Sequence, residues 1–180
     1  NPQLKRFDGE LCVGAYDFDD EGTPAKNAML IENGILKGFL NTRAQNQRRS
    51  KYEPNGHARS KKFQRPVSRM GVLIVKGRET VSIKRLRELL IEEIKRQKKP
   101  FGLIVYETAG GETDTTSYDF QAFSGEICHA TMVFPNGKER VCRGVNIVGT
   151  PLQSLTNIIA VGDTQELDNA FCGAESGLLP

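Results

Sequence analysis

The sequence predicts an α+β domain with a mainly antiparallel sheet, and three observations carry that prediction. Asn33-Gly34 separates two apolar runs, residues 28–32 and 35–40, and both central residues of a type I′ hairpin turn need the positive φ that Asn-Gly supplies. Pro135-Asn136-Gly137-Lys138 gives a second hairpin signal at the end of an extended stretch, residues 118–134. Between them, Ile83, Leu86, Leu90 and Ile94 repeat at helical spacing, with Leu89 widening the stripe. Helices set among hairpins give α+β rather than a parallel βαβ array.

Taken in order, residues 11–16 read as a short strand that runs into an acidic turn, Asp17-Phe18-Asp19-Asp20-Glu21-Gly22-Thr23-Pro24. The Asn33-Gly34 hairpin follows. Residues 42–66 are polar and basic with little periodicity, and a loop of that length inside a compact domain is functional or weakly ordered. Val72-Leu73-Ile74-Val75 reads as a buried strand. A helix runs over 82–98, with Ser82 as N-cap, a basic C-terminal turn that suits the helix dipole, and Pro100 as its stop. Residues 101–106 form the next strand, and Gly110-Gly111 reads as a turn. Thr150 and Pro151 are an N-cap and an N1 proline opening a short helix through Leu152, Leu155, Ile158 and Ile159.

With 180 residues the chain suits one domain, residues 1–180, with enough interior to fold without staples. No apolar run approaches the roughly 20 residues of a bilayer span, so no membrane partner is expected. Residues 1–6 are not a signal peptide, and the missing initiator methionine suggests a piece of a longer protein; a cytoplasmic protein is expected, export of the longer protein being the alternative. A net charge of +3 does not by itself indicate nucleic acid. The basic loop contains one tyrosine and one phenylalanine, too few for a stacking platform, so nucleic acid is not the expected partner. The cysteines at 12, 128, 142 and 172 form no CxxC pair, and free thiols are the default reading. Cys12, Cys128 and Cys142 fall in expected strands and read as core or sheet residues. Cys172, between Phe171 and Gly173 on a turn-prone tail, can be presented outward as a nucleophile or metal ligand, or be a small buried hydrophobe. His129 reads as a sheet histidine, since it and Cys128 face opposite sides of a regular strand. The Asp17–Glu21 cluster lacks the twelve-residue calcium-loop pattern and reads as a solvated turn.

Several strings, in order, give the chain a resemblance. They are Asp19-Asp20-Glu21-Gly22-Thr23-Pro24-Ala25 with the 30–40 run, Asn55-Gly56-His57-Ala58-Arg59, Arg65-Pro66-Val67-Ser68-Arg69, and Gly110-Gly111 with Thr113. Arg143-Gly144-Val145, Val148-Gly149-Thr150-Pro151-Leu152 and Asp168-Asn169 with Cys172-Gly173 follow. Together they resemble the TldD family (TldD/PmbA) of metalloproteases, also called modulators of DNA gyrase, over nearly the whole chain. The resemblance implies a catalytic domain in which two histidines of a His-Glu-x-x-x-His motif and a C-terminal cysteine bind a metal, usually assigned as zinc. Cys172 matches that cysteine. The histidine motif is absent: neither His57 nor His129 has the spacing or the following Glu. The chain therefore resembles a C-terminal catalytic-domain fragment that begins after the motif and stops short of a terminal strand.

The resemblance further implies a zinc-dependent peptidase acting on unfolded or short peptides, working as a homo- or hetero-oligomer with a TldD/TldE-like subunit. The fragment itself is expected to lack activity and to bind zinc weakly or not at all. His57 is either an exposed loop histidine or a polar contact to substrate, with Gly56 letting a backbone approach. Arg59, Arg65 and Arg69 are solvated charges or clamps for peptide carbonyls and carboxylates, Arg69 being the best placed at the end of the loop. Gly110 and Gly111 could let an extended substrate lie against main chain. The competing readings are a non-catalytic companion subunit and a nucleic-acid or protein-binding module using residues 42–66.

Overall fold

A computed structural model describes residues 1–44, 53–114 and 122–180. The expected disorder of the basic loop therefore lies outside the described residues over 45–52, as does the start of the extended stretch at Tyr118. The chain forms two compact units, residues 1–78 with 165–180, and residues 79–164. With two helices and mainly antiparallel hairpins among the described residues, the architecture is α+β.

Among the described residues, the first unit contains four short antiparallel strand pairs. β1 (Arg6–Phe7) pairs with β2 (Glu10–Leu11) across Asp8-Gly9. β3 (Ile31–Glu32) pairs with β4 (Ile35–Leu36), and Asn33 and Gly34 take φ of 52° and 76°, the geometry the sequence signal requires. β5 (Ala58–Arg59) pairs with β6 (Val67–Ser68), and β11 (Cys172–Ala174) with β12 (Gly177–Leu179). The hydrophobic core of this unit is small, with Cys12, Ala25 and Ala58 buried, and polar side chains share its interior: Asp19, Thr42, His57, Arg69 and Ser176.

Two expectations fail here. The strand expected over 11–16 stops at Leu11. The residues beyond it are held by the Asn169 side chain, which donates from Nδ2 to the Leu11 carbonyl and accepts the Val13 N–H on Oδ1. Residues 72–75 form no strand, and Leu73 and Val75 are exposed. An apolar run marks a tendency to be buried, but a strand also needs a pairing partner, and among the described residues this run has none. The second half of the basic loop, from Glu53 onward, includes β5 and the buried Gly56, His57 and Ala58, so it is a packed element.

The second unit carries α1 (Ile83–Arg96), in which the Ser82 side chain accepts the Arg85 N–H at 3.2 Å as expected of an N-cap. The stripe turns Ile94 into the core and leaves Ile83 exposed. A Cβ on Gly102 would lie 2.7 Å from Leu90 Cδ1 and 2.9 Å from Ile94 Cδ1, so glycine lets the helix sit close on the sheet. Arg87 fixes the other side, donating to Glu139 Oε1 and to the Gly137 carbonyl.

The sheet is a meander of β7 (Gly102–Asp114), β8 (Ala122–Val133), β9 (Glu139–Cys142) and β10 (Val145–Gly149). Cys142 opposes Ala130 and Val145 opposes Ile127. That is one register throughout, so β9 and β10 are two halves of a single strand interrupted at Arg143-Gly144. The Pro135–Lys138 turn closes as expected, with Gly137 N–H donating to the Phe134 carbonyl at 2.8 Å. Gly110-Gly111 is no turn: both residues lie within β7, opposite Glu126 and Gly125. α2 (Pro151–Thr156) begins at the expected Pro151 but ends before Ile158.

Candidate functional site

The candidate residues of the first unit are organised by the acidic turn. The turn is closed by Asp19 N–H donating to the Thr23 carbonyl and Ala25 N–H to the Asp17 carbonyl. Asp19 is 5% exposed. Its Oδ1 accepts the N–H groups of Glu21 and Thr23 at 3.0 and 2.8 Å, and its Oδ2 accepts that of Ala58 at 3.0 Å. Both carboxylate oxygens are thus committed to backbone, so Asp19 latches the turn to β5 rather than sitting in solvent. Asp20 continues the seam, accepting the Ser60 N–H at 2.7 Å and the Arg59 guanidinium at 3.5 Å.

His57 lies inside this seam, not on the loop surface: it is 2% exposed. The Asn55 side chain accepts the Asn41 N–H on Oδ1 and donates to the Phe39 carbonyl, which fixes its amide orientation. His57 Nδ1 therefore faces two acceptors, the Asn55 carbonyl at 2.9 Å and Asn55 Oδ1 at 3.0 Å, and carries the proton. Burial lowers the pKa of the ring, opposed by the Asn55 carbonyl. Gly56 is held at φ +74°, and a Cβ there would meet the Pro24 carbonyl oxygen at 2.3 Å. The Tyr16 hydroxyl donates to the Gly56 carbonyl at 3.0 Å, and burial raises its pKa. Arg59 stacks its guanidinium over the Tyr16 ring at 4.4 Å, and its Nη1 has no acceptor among the described residues.

Arg69 is 8% exposed. Its N–H donates to the His57 carbonyl at 2.9 Å. Its guanidinium reaches the C-terminal hairpin, donating to Ser176 Oγ at 3.1 Å and to the carbonyls of Gly177 and Cys172. Lys61 N–H donates to the Ser176 carbonyl from the other side at 2.8 Å. Cys172 is an exposed free cysteine whose Sγ contacts the Gly173 carbonyl at 3.8 Å. The structure thus joins Arg69 to Cys172 directly and ties His57 and Arg59 to the same framework. Arg65 is exposed.

Gly110 and Gly111 belong to the second unit. A Cβ on Gly111 would collide with the Ser124 carbonyl oxygen at 2.6 Å, whereas one on Gly110 would meet nothing within 4 Å. Gly111 is therefore required by its own partner strand. β7 is the edge of its sheet among the described residues. Of the other cysteines, Cys12 is buried outside any strand, Cys142 is half-buried with its thiol 3.5 Å from the Ala130 carbonyl, and Cys128 is exposed. His129 stacks on Tyr106, with ring centroids 5.0 Å apart.

Among the described residues no group of three or more His, Cys, Asp and Glu side chains could hold a metal ion. Zinc needs three protein ligands in a catalytic site. An exposed thiol free of strong hydrogen bonds, on a pinned hairpin, is the kind of group that could serve as one such ligand, and no set of further donors lies beside it among the described residues. Sequence reasoning missed Asp19, Ser176 and Asn169 as the residues that build this framework. The signal for Asp19 was present, since an Asp ahead of a Gly-containing turn readily accepts backbone N–H groups. Nothing in the sequence announced that Ser176 is fully buried.

Residues 6–177 match the PmbA/TldA metallopeptidase C-terminal domain, and the chain belongs to that family. A metalloprotease of Methanocaldococcus jannaschii is 29% identical over 95% of this chain and 35% of its own length. The metalloprotease TldD homolog of Buchnera aphidicola (from Acyrthosiphon pisum) is 26% identical over 98% of the chain and 36% of its own length. A Synechocystis metalloprotease is 30% identical over 98% and 36% respectively. The chain thus spans about a third of the length of the curated relatives it matches. No described helix is long and apolar enough to cross a membrane.

Proposed function

We propose that this chain is the cysteine-bearing part of a zinc-dependent peptidase acting on unfolded or short peptides. The observation that carries the reading is the free, exposed Cys172 thiol on a hairpin whose carbonyls are gripped by a buried arginine. The relatives' names support a peptidase role. When bound, zinc would lower the pKa of a water to about 7 and polarise a peptide carbonyl. Cys172 would supply one thiolate ligand. Asp19, His57 and Arg59 would act behind it, keeping the seam under β5 and β6 rigid. In the other unit, β7 is an edge strand among the described residues, and its Gly110 would let an extended peptide lie against main chain there. This chain on its own would bind zinc weakly and cleave nothing. Peptide cleavage assays on this chain and on the full-length protein test the reading: cleavage by the full-length protein alone is expected, and a zinc-free, inactive full-length protein would favour a companion-subunit role.

A further inference from the structure

We propose that the groove at the Pro135–Lys138 turn of the second unit is a docking site for an extended acidic peptide segment, which sets two carboxylates on Lys138 and Arg140 and an apolar side chain against Phe134. This goes beyond the peptidase reading and does not rest on Cys172. The groove measures about 580 Å³ and is lined by Phe134, Pro135, Asn136, Lys138, Glu139 and Arg140, a size within the usual range for ligand sites. Phe134 supplies its aromatic surface and is propped edge-on by Phe101, with ring centroids 6.5 Å apart. The Arg140 guanidinium lies 5.9 Å from the centre of the Phe134 ring. Its acceptor among the described residues is the Met132 thioether, 3.5 Å from Nη2, and a thioether is a weak acceptor.

The positive charge of the groove is uncompensated. Glu139, the acid among its lining residues, is held by Arg87 of α1 at 2.8 Å. Arg85, Arg87 and Arg96 each meet a glutamate, whereas among the described residues neither Lys138 nor Arg140 meets a carboxylate. Strand alternation explains the split. Glu139 opposes Val133, which opposes Gly102 in the row packed under α1, while Arg140 opposes Met132 and points from the other face. Lys138 and Arg140 are two residues apart on extended chain, about 6–7 Å along it. Carboxylates at alternate positions of an extended peptide have the same spacing, so charge complementarity selects an acidic strand-like partner. The backbone beneath is already fixed. Asn136 Oδ1 accepts the Lys138 N–H at 3.0 Å, Gly137 N–H donates to the Phe134 carbonyl, and Arg87 donates to the Gly137 carbonyl. A turn held in this way loses little conformational freedom when a ligand docks.

The test is isothermal titration calorimetry of the full-length protein with the blocked peptide acetyl-Glu-Thr-Glu-Thr-Leu-amide, whose two acids and leucine share one face when extended. Arg140→Met and Lys138→Met should each weaken binding by about three- to fivefold, and the double variant by about tenfold or more. Arg143→Met removes an exposed cation that does not line the groove, and should leave affinity within about twofold of wild type. A peptide with glutamine in place of both glutamates should bind about tenfold or more weakly, and added salt should weaken the acidic peptide. Binding that survives the double variant unchanged overturns the proposal, as does a glutamine peptide that binds equally well or no binding of the acidic peptide at millimolar concentration. Inorganic triphosphate that displaces the peptide at equal concentration also overturns it, since the two cations would then take any polyanion. Should Arg140→Met fail to fold, Arg140→Gln decides: unchanged affinity overturns the proposal, and a loss matching that of Lys138→Met supports it.

Discussion

Replacing Asp19 with alanine isolates the latch between the acidic turn and β5. The carboxylate accepts three backbone N–H groups, of which that of Ala58 is buried and those of Glu21 and Thr23 are partly so. A buried N–H left without an acceptor costs about 1–3 kcal/mol. The two partly solvated donors recover water and lose about 0.5–1.5 kcal/mol each. Asp19→Ala should therefore destabilise the protein by about 2–6 kcal/mol. Asp17, in the same turn, is the internal control: its ion pair with Lys5, at 2.7 Å, joins side chains that are 73% and 50% exposed. Asp17→Ala should cost less than about 1 kcal/mol. Urea unfolding of both variants, with hydrogen exchange followed at the Ala58 amide, measures the difference. If Asp19→Ala unfolds within about 1 kcal/mol of Asp17→Ala, or leaves the Ala58 amide as protected as before, the carboxylate is not the latch.

Gly56→Ala should destabilise by about 2–4 kcal/mol, combining a left-handed backbone with a Cβ forced onto the Pro24 carbonyl; denaturant midpoints check it. Ile94→Ala should cost about 2–4 kcal/mol through the cavity left beneath α1, measurable in the same way. His57 gives a pH signature. Its folded pKa is lowered by burial, so the native state resists a proton that the unfolded chain accepts near pH 6.5. Stability should rise with pH across the window from the lowered folded value to about 6.5, and fall as the pH drops through it. A stability profile in which His57→Gln keeps the full slope would assign the proton to another group.

Elements set by local chemistry were legible in the sequence. Asn33-Gly34 fixes its turn by backbone preference alone, and α1 follows from its apolar spacing, Ser82 and Pro100. Positions decided by long-range pairing were not. Residues 72–75 have strand composition and no partner strand among the described residues, while Gly110-Gly111 has turn composition and sits in β7 because β8 pairs across it. At the candidate site, the resemblance singled out Cys172 and the sequence flagged Arg69, but not their contact. It joins residues about a hundred positions apart in sequence, and no local pattern encodes which carbonyls a buried guanidinium will find. The exposed alternative for His57 fails for the same reason: its burial depends on the Asp19 latch and on Asn55, whose side chain is held by residues 39 and 41.

The central claim is that Cys172 is a zinc ligand, and metal analysis of the full-length protein beside its Cys172→Ser variant tests it most directly. Both should be matched for folding by circular dichroism. The account predicts one zinc per catalytic chain in the wild type, and weakened zinc binding with depressed peptidase activity in the variant, because a lost thiolate removes both charge and coordination. A Cys172→Ser protein that keeps full zinc stoichiometry and full peptidase rate would contradict it and leave Cys172 a structural residue.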